Sequence, residues 1–378
     1  MNEEKAVRYH RLRRRASLSA AAIGTLLLGA LLVTGGSAAL RGLAVAAGGG
    51  GFLATITIYV VALALLSEAL QLPLEFYQGV VLERRYGLSV QTTAQWWRDW
   101  GKGIAVALVF AVGAALVVWA LLRESPQYWW LIAALCFGFV LVLLAQLAPV
   151  LLLPLFYTFK PLERPALAAR LARLAQRSRA RVVGVFEWRV GDRTRKANAA
   201  LTGIGRTRRI LLSDTMLAEY SDEEIEVIVA HELAHHVHHD IWRTIGLEIV
   251  LVTTGLYVAD RILDPLVGRF GITAKDDIAA LPALLLAIGA VSVVLLPAAN
   301  AFSRACERRA DRFAMEMTRN ATAFASAMRR LASQNLAEEQ PPKVVELLFH
   351  SHPPIRARLD AAQEWAVRHG ESGAGDSA

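Results

Sequence analysis

Five of the nine histidines in this 378-residue chain lie between His231 and His239, in the run HELAHHVHHD. Imidazole serves as a metal ligand, a proton carrier near neutral pH or a polar helix-end residue, so residue type alone leaves the chemistry open. Spacing narrows it. Upstream, Ser221 stands three residues before Glu224, a capping-box pattern, and Asp222 and Glu223 suit the positive end of a helix. A helix is therefore predicted to begin near residue 222 and to carry the histidines about two turns later. Residues four apart share a helix face, which pairs His231 with His235 and sets Glu232 beside the first. Two imidazoles with a neighbouring glutamate, H-E-x-x-H, suit zinc, the carboxylate acting on the metal-bound water. His235 and His239 are also four apart but lack that glutamate, so His236, His238 and His239 read as polar residues at a membrane boundary.

A hydrolytic zinc site keeps three protein ligands and leaves the fourth position for water. The stretch NAFSRACERRAD, residues 300–311, puts Glu307 and Asp311 four apart at the end of an apolar run. Carboxylates at a membrane edge are costly and usually functional. An i,i+4 charge ladder with Arg304 and Arg308 is the plainer alternative.

The elements that must position these groups are mostly apolar. Hydrophobic residues make up 55% of the chain and mean hydropathy is positive, which points to a membrane. Six runs, at 16–40, 52–70, 103–122, 128–153, 242–259 and 279–300, approach or exceed the length needed to span a bilayer. The first is too long for a cleaved signal core and reads as an uncleaved span. Lys5, Arg8, Arg11 and Arg13–Arg15 place the start of the chain in the cytoplasm. Alternation then puts Arg84, Arg85, Arg98, Lys102 and the polar stretch 154–241 there too. The net charge of +8 is spread along span edges and no nucleic-acid recognition module is visible, so the expected partner of this charge is the lipid bilayer, not nucleic acid. Cys136 and Cys306 are isolated and read as small buried residues.

Within the polar stretch, 165–180 reads as an amphipathic helix, and 181–190 and 208–213 as short strands with TGIGRT supplying a turn. The expected fold class is a mainly α-helical polytopic membrane protein with about six transmembrane helices and a small α+β zinc-metalloprotease domain. The divisions fall at 1–153 (four spans), 154–241 (polar domain with the histidine helix), 242–311 (two spans ending at the Glu307 and Asp311 pair), 312–368 (C-terminal helical segment) and 369–378 (disordered tail).

Taken together, HELAH and NAFSRACERRAD resemble the motifs of the type I CAAX prenyl endopeptidases, integral-membrane zinc proteases with a gluzincin-type site. Further segments resemble that family in order: 72–103, 153–163, 198–217 and the HPP at 352–354. The resemblance implies one zinc ion held by His231, His235 and Glu307, with Glu232 as catalytic base and Asp311 orienting a ligand histidine. It further implies that Asn198 and Ala199 hold the substrate backbone, and that Arg304 and His352 line the cleft, His352 supporting the oxyanion. Two departures stand out. Lys196-Ala197 and Ala200 replace the family's usual His-Ser and aromatic residue, and six spans are counted where seven are common.

The expected reaction is peptide hydrolysis in a bacterial cytoplasmic membrane, on a peptide or protein substrate that need not be prenylated. Membrane-protein quality control of the related heat-shock type is the alternative. A transporter or scaffold with a structural zinc site is a third reading, but such a site fills all four positions with protein ligands, mostly cysteine and histidine.

Overall fold

A computed structural model describes residues 2–203 and 205–370. Among the described residues six helices are long and apolar enough to cross a membrane: Glu3–Val33, Phe52–Arg85, Thr93–Glu124, Trp129–Phe156, Asp240–Leu266 and Ile278–Thr318. The first ends at Val33, because Thr34 and Gly35 turn the chain, with Gly35 at φ 73°. The apolar run predicted at 16–40 therefore divides. Its end joins a separate 12-residue apolar helix, Gly36–Ala47, about 18 Å long and too short to span. The second and fourth spans each contain a π-helical stretch, Tyr77–Leu82 and Ala148–Leu152. At Gly79 the second span meets Trp96 so closely that a Cβ would stand 2.6 Å from the indole nitrogen.

The spans expose apolar side chains outward, Val109, Phe139, Val293 and Val294 among them, as a lipid-facing surface requires. Cys136 is on that surface, exposed rather than buried, whereas Cys306 is buried as expected. At the end remote from the histidines the bundle is sealed by packing of Tyr59, Trp119, Trp129, Ala259 and Leu284. Lys275 bonds both Asp260 and Asp264 there, and Trp129 donates to Asp260.

At the other end the chain builds a four-stranded sheet, order β1-β2-β4-β3 (Thr158–Pro161, Gly184–Arg189, Arg209–Ser213 and Ala199–Thr202). β2 and β4 run parallel, and β3 pairs antiparallel with β4; among the described residues no strand pairs with the other edge of β3. Both predicted strands are present. β1 and β3, four residues each, had no alternation to announce them. The helix Pro165–Arg177 lays Leu167, Leu171 and Leu174 on this domain's core, a 3- and 4-residue spacing that gives one apolar stripe. The same core takes in Ile225 and Val229 of the histidine helix and Phe324 and Met328 of Ala321–Asn335. The last helix, Ile355–His369, runs one residue past the predicted start of the tail; residues 371–378 lie outside those described.

A third, smaller cluster joins Ala6 and Tyr9 to Leu82, Tyr86, Leu88 and Leu336. Arg14 pairs there with Glu338, so the first helix is fastened to the segment leading to the last helices. Burial opposes ionisation of Glu338, but His350 and Arg14 offset it and hold its pKa down at about 2.

Candidate active site

The histidine helix spans Asp222–Val237 and starts as predicted, with a reciprocal capping box between Ser221 and Glu224. Beyond Val237 the chain turns at His239, whose φ of 57° leads it into the fifth span. His231 is buried and His235 partly buried, one turn apart on the face that meets the sixth span. From that span Glu307, buried, reaches between them. Its carboxylate oxygens stand 3.3 Å from His231 Nε2 and 3.5 Å from His235 Nε2.

Those separations test the fit of a metal. Ligand atoms ~2.0–2.2 Å from a tetrahedral zinc stand roughly 3.3–3.5 Å apart. The His231, His235 and Glu307 ligand atoms all lie within 4.8 Å of one another. Both imidazoles offer Nε2 to the shared point because Nδ1 is engaged elsewhere. His231 Nδ1 lies 2.9 Å from Asp311 Oδ1, and His235 Nδ1 lies 3.0 Å from Asp240 Oδ2. Burial alone would lower the pKa of His231, but Asp311 and Glu307 outweigh it and push it up to about 10. An imidazole caged by carboxylates marks a place where a cation is strongly attracted. The donor set fits one zinc ion.

Glu232 stands between the ligand residues and β3. It lines the wall with Ala199, Ala200 and Leu201, and it also borders a cavity of about 410 Å³ shared with His235 and Glu307. Burial pushes its carboxyl pKa up, with the neighbouring histidines working against that rise. Asn198 is exposed at the start of β3, its backbone paired through N–H and C=O with Ser213, while Ala199 is buried. His352 is largely exposed and sits with Nδ1 2.9 Å from Glu307 Oε2. Arg304 is buried; its guanidinium donates to the carbonyls of Glu346 and His350 and does not border the cavity.

Three partners were missed in the sequence. Asp240 faces His235 and is itself paired with Arg309; Arg358 grips Asp311 through Nε at 2.9 Å and a second bond from Nη2. Asn335 clamps the backbone ahead of β3, accepting from Ala197 N–H and donating to its carbonyl. Only Asp240 gave a signal, a carboxylate one residue past the cluster. Of the charge ladder, Arg308 takes no part: Asp311 is held by Arg358 instead.

A helical membrane bundle that brings a His-His-Glu metal triad against the edge of a small sheet is the architecture of a membrane-embedded zinc metalloendopeptidase. Residues 161–366 match the model of peptidase family M48, and residues 2–158 that of the CAAX prenyl protease N-terminal region with five membrane helices. The chain belongs to peptidase family M48 and is a zinc metalloendopeptidase with six spans, integral to the membrane. Across 2–158 it supplies four of those spans and the short Gly36–Ala47 helix.

It is 31% identical over 317 residues to an uncharacterized metalloprotease, YhfN, of Bacillus subtilis, covering 83% of this chain and 74% of that one. It is 29% identical over 311 residues to the probable CAAX prenyl protease 1 of Schizosaccharomyces pombe (80% and 65%). A protease HtpX homolog of Bacteroides fragilis is 32% identical over 169 residues, 43% of this chain and 52% of that one. The crystal structure of S. mikatae Ste24p superposes with a TM-score of 0.86 at 21% identity, over 96% of this chain and 89% of that chain, so the folds agree.

Proposed function

We propose that the protein cleaves extended peptide segments laid along β3, with Glu232 as the general base. The observation that carries this is the shared cavity: Glu232, His235, Glu307, Leu201 and Gly203 border one space of about 410 Å³ beside an unpaired strand edge. When bound, zinc acidifies its water and polarises the scissile carbonyl. Glu232 takes the proton at its carboxylate and returns it to the leaving amine. Its raised pKa suits both steps, since a base must also work as an acid later in the cycle. Substrate adds to the edge of β3 by main-chain hydrogen bonds, with Asn198 and Ala199 at its reacting end. His352, beside Glu307, donates to the oxygen that gains negative charge. Arg304 acts one step removed, holding the 346–350 backbone that delivers His352.

The basic residues near the site end of the bundle (Lys5, Arg8, Arg11, Arg84, Arg85, Arg98, Lys102) support a cytoplasmic site with both described ends of the chain on that side. The division at 1–153, 154–241, 242–311 and 312–368 then separates membrane anchor, catalytic domain, ligand-bearing spans and closing segment. Lys196, where relatives of the CAAX type carry other residues, is tied to Glu83 at 2.9 Å, which favours a site indifferent to a prenyl group. Quality control of membrane proteins is the second reading, favoured by the match to an HtpX homolog.

The test is cleavage of matched prenylated and unprenylated peptides by purified protein and by Glu232→Gln, each with its zinc content measured. The wild type should cleave both at similar rates. Glu232→Gln should keep its zinc and lose nearly all turnover; activity above a few per cent would remove Glu232 as the base. A prenyl preference of about a hundredfold or more, worth roughly 2.7 kcal/mol, would restore dedicated CAAX processing.

A further inference from the structure

Behind the metal centre lies a second cavity of about 350 Å³, between the end of the sixth span and the last helix. Its wall includes Arg308, Arg312, Arg358 and Arg368, against Asp311 and Glu316. Asp311 and Arg358 neutralise each other, and Arg368 shares Glu364 at 3.3 Å. Among the described residues neither Arg308 nor Arg312 has a carboxylate within ion-pair distance. The cavity is therefore positive.

Two aromatic rings line the wall beside the arginines, those of Trp365 and His369, and Trp365 is 5% exposed. His369 stacks on the Trp365 ring at 4.1 Å. Guanidinium forks lining one space suit the tetrahedral oxygens of a phosphate group, and the volume suits a small molecule.

We propose that this cavity binds a soluble phosphate-bearing small molecule, held by Arg308 and Arg312. A lipid headgroup is disfavoured by position. The apolar run of the sixth span ends near residue 300, and Arg308–Glu316 lies about 12–24 Å further along the helix, past a headgroup layer roughly 5–7 Å deep. The back wall is the Asp311–Arg358 pair, and Asp311 touches His231, so an anion bound here acts on the metal centre through one intervening ion pair.

The probe is inorganic phosphate, titrated against the melting temperature of the purified full chain, with chloride at matched ionic strength as reference. Binding to the folded state should raise Tm progressively with phosphate. Arg312→Ala, on an exposed side chain, should weaken the phosphate Kd about tenfold. Arg356→Ala, which removes an exposed charge paired with Asp360 and does not border the cavity, should leave it unchanged. No rise beyond that in chloride, or equal weakening by Arg312→Ala and Arg356→Ala, overturns the proposal. Stabilisation seen only in bilayers containing anionic lipid, without a response to phosphate, overturns it in favour of a headgroup.

Discussion

Asp311 does two jobs, and removing it separates them. Its carboxylate orients His231 through Nδ1 at 2.9 Å and neutralises Arg358, whose side chain is only 11% exposed. Asp311→Ala therefore carries two costs. Loss of a group that orients a metal-bound histidine weakens metal affinity about 10- to 100-fold. Stranding a buried charge costs about 3–5 kcal/mol, and the slight exposure of Arg358 places this case near about 3 kcal/mol. The companion variant Asp311→Ala/Arg358→Met removes the stranded charge and should recover most of that stability while leaving zinc affinity low. Denaturant unfolding reads the first quantity, and competition with a calibrated chelator reads the second. Undiminished zinc affinity in Asp311→Ala, or its restoration in the double variant, would refute the reasoning, since either would leave His231 oriented without its carboxylate.

Glu307→Ala leaves two imidazoles and should be isolated nearly zinc-free by metal analysis, whereas Asp311→Ala keeps substantial zinc; the reverse pattern would exchange their roles. The depressed pKa of Glu338 stabilises the fold above its ordinary value of 4.5, and that contribution is lost as pH falls toward about 2. The stability gap between wild type and Glu338→Gln should therefore be largest near neutral pH and close across that acid window; a pH-independent gap would count against the Arg14–Glu338–His350 cluster. A periplasmic reporter fused after Arg181 should be inactive, and activity there would invert the proposed topology.

Much of the site was legible because its signals are local. The capping box at Ser221 and Glu224 and the four-residue spacing of His231 and His235 follow from helix geometry alone. The spans were legible as well, since a bilayer demands long apolar runs, although Thr34-Gly35 ended the first earlier than hydropathy suggested. β1 and β3 were not: four residues give no period to read. Arg358 was invisible for a different reason. Its partner is 47 residues away on another helix, and an arginine in an amphipathic helix reads as solvated until tertiary packing buries it. Arg304 looked like a cleft residue, but its fork is turned to two backbone carbonyls that no local pattern foretells.

The order of the ligands along the chain bears on when the protein becomes dangerous to its own cell. His231 and His235 leave the ribosome before the fifth span, Glu307 only with the last part of the sixth, and His352 later still. A nascent chain with four spans inserted holds two imidazoles and no third ligand, too few for tight metal binding at a hydrolytic centre. Catalytic competence thus waits for the last pair of helices to insert, and a chain stalled or truncated before that point is inert. Membrane insertion itself does the work that a removable pro-segment does in secreted proteases.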